Sequence, residues 1–534
     1  MITINVDAKI RIAHAELRAS DRELLTELFT HDNPEWGKHA RFGGRVAKAI
    51  PRKLVTWADV DGFFTAGRGA LALVRRTLED AGHTVRIVDR RADGWFFEAE
   101  VKIALLVALS NAGRSLYAHQ IAIRDALWSR ENALVRAPTG SGKTLAELAA
   151  IVQAGRHALV MVPTQALASQ WLRDAEAFGM REEWLGFLGD GSRRIRPITV
   201  ALPQSLRHWI HEVRNFGIEQ FGIEQFGTFV VDEVQGAAAA TFADVIGRVP
   251  AKFRLGVSAD ERRKDRKEFL IYEAFGDPVV DVKRKDLIAA SVIRDVEVRM
   301  VETTFEAPGF LAIRDAAAEL RERVVAGEKI PPMTARRMKQ DELAGWDALF
   351  KQMRDDEARN RLAAETVRRA LDDGAQCLVF VHLREHAMEL ALGLRARANA
   401  RAGDGRTHEI GLLLGGKSSA KEFQRVCEGI RDGSVRAAVA TYKSTGVGIN
   451  LPSLSAGVCV TPIHGNKQFV NQVRGRVSRK GERPAVLWYL WDREVFGDEP
   501  VRAMLRWNTN VKLVLVDGTM HDARATKGEL WGDR

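Results

Sequence analysis

Cysteine is scarce in this chain of 534 residues, which has 3 cysteines, and they stand far apart at Cys377, Cys427 and Cys459. No CxxC pair is available to begin a zinc or iron–sulfur site, and an odd, sparse set argues against a disulfide scaffold. Long apolar runs are also lacking: no stretch approaches the roughly 20 residues that a membrane span needs, and the first residues lack the apolar core of a signal peptide. We therefore expect a cytoplasmic protein.

The sequence also lacks a strong excess of charge of one sign. The 80 lysines and arginines are nearly matched by 70 aspartates and glutamates, which leaves a net charge of +10. This modest excess slightly favours a polyanionic partner over a plain solvated surface. The composition, 46% hydrophobic and 28% charged, is that of a globular protein. The length predicts about three to four domains, at roughly 150 residues per domain.

Short apolar strands alternate with helices over most of the chain, and this alternation predicts an α/β fold with parallel sheets. We expect a small N-terminal α/β domain at 1–96 and two larger blocks at 97–285 and 286–495. A charged helical insertion is predicted near 305–370, and 496–534 is expected to be a C-terminal tail. The predicted strands are Ile2–Val6, Thr84–Val88, Ala133–Val135, Ala158–Val162, Ile198–Ala201, Phe229–Val231, Cys377–Val381, Ala437–Ala440, Gly457–Val460 and Ala485–Leu490.

A glycine-rich segment, APTGSGKT at Ala137–Thr144, joins a predicted strand to a predicted helix. The backbone N–H groups of such a loop and the helix N-terminus bind phosphate oxygens. Lys143 would reach the β- and γ-phosphates, and Thr144 would hold Mg²⁺ through its hydroxyl. The segment departs from the common phosphate-loop pattern at its first position, where Ala137 replaces glycine. The residues that we expect to bind ATP are Thr139, Gly140, Ser141, Gly142, Lys143 and Thr144.

An acidic pair, Asp232 and Glu233, follows the predicted strand Phe229–Val231. Ligands of open α/β sheets bind at the carboxyl ends of the strands, where this pair stands. Asp232 would hold Mg²⁺ through water, and Glu233 would polarise the attacking water. An isolated Asp-Glu pair is usually surface charge, but its position after a buried strand and a phosphate loop favours a catalytic pair.

The sequence DEVQ at Asp232–Gln235 resembles the DEAH/DExH box of superfamily 2 helicases, and further segments resemble that family's motifs in the family's order. The resemblance covers about 114–481. It implies two tandem RecA-like parallel-sheet domains that hydrolyse ATP while acting on nucleic acid, and the arrangement looks closest to UvsW-like and XPB-like DNA helicases. The matching segments are Tyr117–Gln120, Val162–Trp171, Ala201–Leu206, Gly256–Asp260, Cys377–Ala387, Ala440–Pro452 and Gln472–Gly481.

The resemblance implies roles for residues outside the phosphate loop. Gln120 would contact adenine, and Gly446 would contact the nucleotide. Gln472, Arg476 and Arg479 would complete the catalytic set, because phosphoryl transfer needs positive charge on its transition state and an arginine finger supplies it. The residues that would contact the nucleic-acid backbone are Thr164, Gln204, Ser205, Arg384, Thr441 and Lys443, although serine and threonine at strand ends also often cap helices.

Two positions depart from the family pattern: Gln235 stands where histidine is usual, and Asp260 where threonine is common. Neither is a phosphate or metal ligand, so they bear on the coupling of hydrolysis to movement. The segment Leu28–Arg45 resembles the small duplex-binding domain that precedes the UvsW motor. The phosphate-facing residues of that domain would be Arg41, Arg45, Arg52 and Lys53, and an unrelated interaction domain is the alternative.

The sequence therefore favours a DNA helicase or translocase that acts on duplex, forked or branched DNA in replication, recombination or repair. An RNA helicase is the second hypothesis. A third is the DNA-translocating motor of a restriction or defence complex, whose other chemistry would come from a partner. An ATP binder without hydrolysis is disfavoured, because the lysine, the acidic pair and both arginines are present.

Overall fold

The computed structural model of the chain describes most of its residues and divides them into two compact units, Met1–Arg284 and Lys285–Arg534. The described residues are 1–36, 50–216, 222–235, 240–259, 265–326, 328, 330–399, 409–414, 420–445, 451, 454–462, 473–475, 477–478, 484–508 and 510–525.

The first unit contains fifteen strands among its described residues, arranged in an N-terminal sheet, a two-stranded ribbon and a large sheet. The strands are β1 (Ile2–Val6), β2 (Lys9–Ala13), β3 (Thr30–Asp32), β4 (Lys53–Val55), β5 (Ala58–Val60), β6 (Phe63–Gly67), β7 (Val85–Asp89), β8 (Asn132–Arg136), β9 (Ala158–Met161), β10 (Leu185–Gly189), β11 (Ser192–Arg194), β12 (Ile198–Ala201), β13 (Thr228–Asp232), β14 (Phe253–Ser258) and β15 (Pro278–Asp281). Its helices are α1 (Ala19–Leu28), α2 (Leu71–Asp80), α3 (Ala99–Asn111), α4 (Ala118–Arg130), α5 (Lys143–Ala154), α6 (Gln165–Ala177), α7 (Pro203–Phe216), α8 (Ala240–Ile246) and α9 (Phe269–Phe275), and α10 (Arg284–Ala289) begins at the boundary between the units.

The large sheet of the first unit has the order β11-β10-β12-β9-β13-β14-β8-β15, and its strands are parallel apart from the β10–β11 pair. Strands β9 and β13 are buried at every residue, as expected for a parallel sheet with helices on both faces. The N-terminal sheet has the order β5-β6-β2-β1-β7. Its strand β1 alternates buried and half-buried residues, because one face packs on α1 and α2 while the other is more open.

The second unit has one eight-stranded sheet with the order β18-β19-β17-β20-β21-β16-β22-β23, and its pairs are parallel except β22–β23. Its strands are β16 (Val296–Glu302), β17 (Cys377–Val381), β18 (Glu409–Leu413), β19 (Val435–Thr441), β20 (Ala456–Cys459), β21 (Ala485–Trp491), β22 (Val511–Val514) and β23 (Met520–Asp522). Its helices are α11 (Pro308–Val325), α12 (Pro332–Asp355), α13 (Glu357–Asp372), α14 (Arg384–Asn399), α15 (Ala420–Asp432), α16 (Tyr442–Thr445), α17 (Arg493–Phe496) and α18 (Glu499–Trp507).

The predicted fold class is confirmed: two sheets rich in parallel pairs follow an N-terminal α/β region. Each predicted strand is present, with ends that differ by at most two residues. The segment predicted to be a tail from 496 instead contributes α18, β22 and β23, and β22 pairs with β16 in the sheet. The tail prediction is wrong for these residues, because the apolar run Val511–Val514 is too short to distinguish a strand from a loop without its partner strand.

The N-terminal region packs directly on the large sheet of the first unit. The guanidinium of Arg254, in β14, is 1% exposed and donates to the carbonyls of Ala8, Ile246 and Val249 at 3.1, 3.1 and 2.9 Å. At a second contact, a Cβ on Gly69 would lie 2.3 Å from the backbone nitrogen of Gly276. The backbones therefore meet with no room for a side chain, which explains why the N-terminal region and the first RecA-like sheet form one compact unit.

We predict that Gly69→Ala destabilises the first unit, because the added methyl group would overlap backbone atoms that cannot move as a side chain does. The expected loss in free energy of unfolding is about 1–3 kcal/mol, measured by chemical denaturation. The matched control is Gly393→Ala, within α14, where a Cβ would meet nothing within 4 Å. That control should be neutral or stabilising by up to about 1 kcal/mol; equal stability of the Gly69 variant and the wild type would contradict the close packing.

Candidate nucleotide site

The phosphate loop and the acidic pair lie at one edge of the large sheet in the first unit. Strand β14 lies between β8 and β13, so the residues that follow these three parallel strands meet at their carboxyl ends. The backbone N–H of Ala137, which follows β8, donates to the carbonyl of Ser258 at the end of β14 at 2.8 Å. This edge is where the predicted ATP site belongs.

The loop between β8 and α5 has the backbone shape that the glycines predicted. Gly140 and Gly142 have φ values of 90° and 75°, a region that favours glycine. Helix α5 begins at Lys143, directly after Gly142, so its free N–H groups face the loop. The Ser141 hydroxyl is buried and has no hydrogen-bond partner within the described part of the chain. Such a cradle with an unsatisfied hydroxyl fits a phosphate group.

Helix α4 supports this loop through two polar side chains. Gln120 is 2% exposed, and its amide donates to the carbonyls of Gly142 and Ser141 at 3.2 and 3.4 Å. His119 Nε2 lies 2.7 Å from the carbonyl of Ser141. The structure thus places the predicted adenine ligand Gln120 against the loop backbone. The support from His119 was missed by the sequence analysis, although this residue is adjacent to Gln120 in the matching motif.

A buried lysine connects the loop to the acidic pair. The ammonium of Lys143 lies 2.9 Å from Glu233 Oε1 and 3.8 Å from Asp232 Oδ1. Burial lowers the pKa of Lys143, but the charges of Glu233 and Asp232 together raise that pKa above its ordinary value. Burial raises the pKa of Asp232 to about 6, although the Lys143 charge opposes this shift. Three predicted site residues are therefore brought together in a place where charge is poorly hydrated, which suits phosphate and metal chemistry.

The acidic pair is also connected to the end of β14. Glu233 has a φ of 53°, an uncommon value for a residue with a Cβ. Its Oε2 accepts a hydrogen bond from the Gln235 amide, and the Ser258 hydroxyl donates to Gln235 Oε1 at 2.6 Å. Gln235, which departs from the family's histidine, therefore bridges the acidic pair and the Gly256–Asp260 motif. The residue types gave no signal of this bridge, because they do not specify which side chains meet.

A further carboxyl group lies behind the site and was missed by the sequence analysis. Glu147, one helical turn after Lys143 in α5, is fully buried. Its Oε2 accepts a hydrogen bond from the Trp171 indole at 2.9 Å, and its Oε1 has no partner among the residues described. Burial and the Asp232 charge raise the pKa of Glu147 well above its ordinary value. The sequence feature that could have indicated this buried carboxyl group is a charged residue within the otherwise apolar sequence of α5.

We predict that Glu147→Gln raises the midpoint of thermal unfolding at pH 8. The unfolded carboxyl titrates near 4.5, whereas the folded one retains its proton to higher pH. The cost of burying the charge is therefore absent below the unfolded pKa and grows as the pH rises towards the folded pKa. The gain in midpoint should accordingly disappear as the pH falls to about 4. A variant that is less stable than the wild type at pH 8 would mean that the charged form is stabilised.

The predicted backbone contacts lie at the same sheet edge within each unit. In the first unit, Thr164 follows β9, and Gln204 and Ser205 lie in the first turn of α7, which follows β12. In the second unit, Arg384 begins α14 after β17, and Thr441 ends β19 just before Lys443. Thr164 Oγ1 accepts a hydrogen bond from Leu167 N at 3.4 Å and caps α6, which is also the simpler role weighed for it.

Several predicted residues lie outside the described residues. They are Arg41, Arg45, Asp260, Gly446, Gln472, Arg476 and Arg479. Of the other two basic residues assigned to the N-terminal region, Lys53 pairs with Asp32 at 2.8 Å, and the Arg52 guanidinium lies 4.3 Å from the centre of the Trp36 ring.

No group of three or more histidine, cysteine, aspartate or glutamate side chains in the described ranges could hold a metal ion. No helix within those ranges is long and apolar enough to span a membrane.

Sequence comparison relates this chain to helicases. The family model of the DEAD/DEAH box helicases matches residues 117–269. The DNA 3′-5′ helicase XPB of Mycobacterium tuberculosis is 29% identical over 205 residues, which are 38% of this chain and 37% of that protein. The DNA 3′-5′ helicase XPB of Kineococcus radiotolerans is 24% identical over 394 residues, 72% of this chain and 60% of that protein. The chain thus spans less than two thirds of these relatives, and the expected likeness to XPB-type helicases is confirmed.

Comparison with solved structures shows the fold. The helicase MrfA bound to DNA is similar with a TM-score of 0.54 and 17% identity, over 79% of this chain and 53% of that one. Dbp5 of S. cerevisiae bound to RNA and ADP BeF3 has a TM-score of 0.53 and 14% identity, over 77% of this chain and 93% of that one. The family match covers the motif from Tyr117 and the acidic pair, so residues 117–269 form a DEAD/DEAH box helicase domain, and the solved structures show that the chain has a fold similar to that of helicases.

Proposed function

We propose that this protein is an ATP-dependent helicase or translocase that acts on DNA, with duplex, forked or branched DNA as the substrate. The observation that carries the proposal is the buried contact of Lys143 with Glu233 and Asp232 at the carboxyl edge of a parallel sheet. This contact brings a phosphate-binding lysine and a metal-binding acidic pair into one site, which is the arrangement that hydrolysis of a nucleoside triphosphate needs.

Different residues of the chain would bind the phosphates of ATP and the Mg²⁺ ion. The phosphate loop and the N-terminus of α5 would bind the phosphates, with Lys143 neutralising their charge. The oxygen ligands of Thr144 and Asp232 suit Mg²⁺, which when bound would neutralise charge on the phosphates. Glu233 would accept the proton of the attacking water, and Gln235 holds that carboxylate in position. We assign the arginine finger to Arg476 or Arg479, with Gln472 and Gly446 beside the nucleotide.

The choice of DNA rests on the relatives. The two XPB proteins are named as DNA helicases, whereas the structural neighbours include complexes with DNA and with RNA. RNA therefore remains the alternative substrate, and the six predicted backbone contacts are compatible with either, because phosphate contacts carry no direct information about the bases. The site is compatible with strand separation and with translocation that does not separate the strands. We include a role in DNA repair or recombination in this proposal.

The proposal is tested by the rate of ATP hydrolysis without nucleic acid and with single-stranded DNA, forked DNA or RNA of matched sequence, all at one salt concentration. We expect the largest stimulation from forked DNA. Lys143→Ala should lower the stimulated rate by about a hundredfold to a thousandfold or more, because the transition state loses a charge in a buried site. The control Lys102→Ala removes a lysine that is exposed on α3 and should leave the rate unchanged.

Three outcomes would count against the proposal. Larger stimulation by RNA than by forked DNA would support an RNA helicase. Hydrolysis that none of the nucleic acids stimulates would favour a motor that needs a partner protein. Full activity of Lys143→Ala would show that the phosphate loop is not the catalytic site.

We also predict that Gln235→Ala slows hydrolysis without preventing nucleotide binding. The variant loses the hydrogen bond that orients Glu233 and the link to Ser258, and a displaced base lowers turnover by about ten- to a hundredfold. Nucleotide affinity, measured by titration with a fluorescent ATP analogue, should stay within about twofold because no phosphate ligand is removed. Gln170→Ala, at a glutamine that bonds to Asp174 on α6, is the matched control. An unchanged turnover number for the Gln235 variant would exclude the bridge from the mechanism.

A further inference from the structure

A cleft of about 700 Å³ lies between the N-terminal sheet and the large sheet of the first unit. The turn between β1 and β2 forms one wall, and the end of α8 with the segment leading to β14 forms the other. The cleft lies at the amino-terminal ends of the strands of the large sheet, because its lining residue Pro250 comes just before β14, which begins at Phe253. The phosphate loop follows the opposite ends of strands five to six residues long, so the cleft is about 17–20 Å away from the ATP site.

Four basic side chains line this cleft: Lys9, Arg11, Arg90 and Arg248. Arg11 pairs with Asp7 at 3.2 Å and Arg248 with Asp244 at 2.6 Å, whereas the ammonium of Lys9 has no carboxylate oxygen within 4 Å among the residues described.

The side chain of Lys9 is held in the cleft by close packing. Its Cε lies over Gly247, where a Cβ would be 2.7 Å away. Burial and the charges of Arg11 and Arg248 lower the pKa of Lys9, and the charges of Asp244 and Asp7 oppose this shift without reversing it. An anion bound beside Lys9 would offset both the burial of its charge and the repulsion from Arg11 and Arg248.

Two buried arginines lie beneath the cleft and add to its positive potential. Arg254 donates to the carbonyl of Ala8, and Arg68 donates to the carbonyls of Asp7 and Ala251, at 3.1, 3.3 and 2.6 Å. Both guanidiniums are at most 2% exposed. Neither has a carboxylate oxygen within 4 Å in the described part of the chain. Buried charges are weakly screened by salt, so their field extends into the cleft.

The acidic residues of the cleft do not cancel this charge. Asp7, Glu224 and Asp244 also line it, and the first and last of these are already paired with Arg11 and Arg248. Four rim cations and two buried guanidiniums therefore face three carboxylates. A mobile anion with oxygen acceptors is the chemistry that this excess favours, and a phosphate group suits a rim that combines an ammonium with guanidiniums.

We propose that this cleft is a second phosphate-binding site of the protein, which binds the phosphodiester backbone of nucleic acid through Lys9, Arg11 and Arg248. This inference deepens the proposed function, since it assigns a backbone contact to the edge of the first unit opposite the ATP site. A contact there extends the nucleic-acid surface beyond the strand-end residues such as Thr164 and Gln204. Because it involves phosphates alone, it contributes affinity without base specificity.

The test compares binding of labelled forked DNA to the full chain and to Lys9→Gln by fluorescence anisotropy, without ATP, over a range of salt concentrations. Loss of one phosphate contact should lower the slope of log affinity against log salt by about 0.9, which corresponds to about eightfold weaker binding at 0.1 M salt. Lys9→Arg keeps the charge and should restore binding. Arg76→Gln removes the same charge from an arginine that is 82% exposed on α2 and lies outside the cleft, and should bind as the wild type does.

The outcomes separate the cleft from its alternatives. Equal affinity and equal salt slope for Lys9→Gln and the wild type would overturn the inference, as would a loss as large in Arg76→Gln, because a general charge effect would then explain it. If Lys9→Gln lost binding of inorganic pyrophosphate, followed by calorimetry, but kept DNA affinity, the site would serve free phosphates and the backbone assignment would be wrong. Hydrolysis without nucleic acid is measured in parallel and should be unchanged, so failure of the ATPase proposal is recognised independently of binding.

Discussion

The buried interaction between Lys143 and the acidic pair is the contact on which the site in the first unit depends. A lysine ammonium and two carboxylates removed from water would each be costly alone, and together they compensate one another. The arrangement is possible because β8 and β13 are parallel and end at the same edge, with β14 between them. The same charges would also prepare the proposed ATP site, because the phosphates and Mg²⁺ would meet charged groups that are already in place.

The hydrogen-bond chain from Lys143 through Glu233 and Gln235 to Ser258 gives the site a physical connection to the end of β14. Glu233 holds an uncommon backbone conformation in the middle of this chain. Such strain persists when its surroundings hold it in place, and here side chains from α5 and β14 do so. A glutamine can replace the family's histidine at this position because its amide both donates to the carboxylate and accepts from the serine hydroxyl.

The N-terminal region and the first RecA-like sheet share a boundary built from backbone carbonyls and buried guanidiniums. Arg68 donates across this boundary to the carbonyl of Ala251, and Arg254 donates across it to the carbonyl of Ala8. This use of arginine satisfies backbone acceptors that would otherwise be buried without partners. Neither guanidinium has a carboxylate oxygen within 4 Å among the residues that the structure describes, and the cleft above them faces the solvent. One structural solution therefore explains both the close docking and the charge of the cleft.

The sequence by itself determined the fold class, the strand positions and the residues of the phosphate loop and acidic pair. These features are local: apolar runs specify buried strands, and glycines specify the loop, whatever lies elsewhere in the chain. Tertiary structure alone decided that Gln120 supports the loop, that Glu147 lies behind it, and that β22 joins the second sheet. The tertiary structure also determined which residues line the cleft, because Lys9 and Arg248 are far apart in sequence and come together only where the two sheets pack. Contacts of this kind depend on how separate elements pack, and the residue pattern of one segment does not show which other segment packs against it.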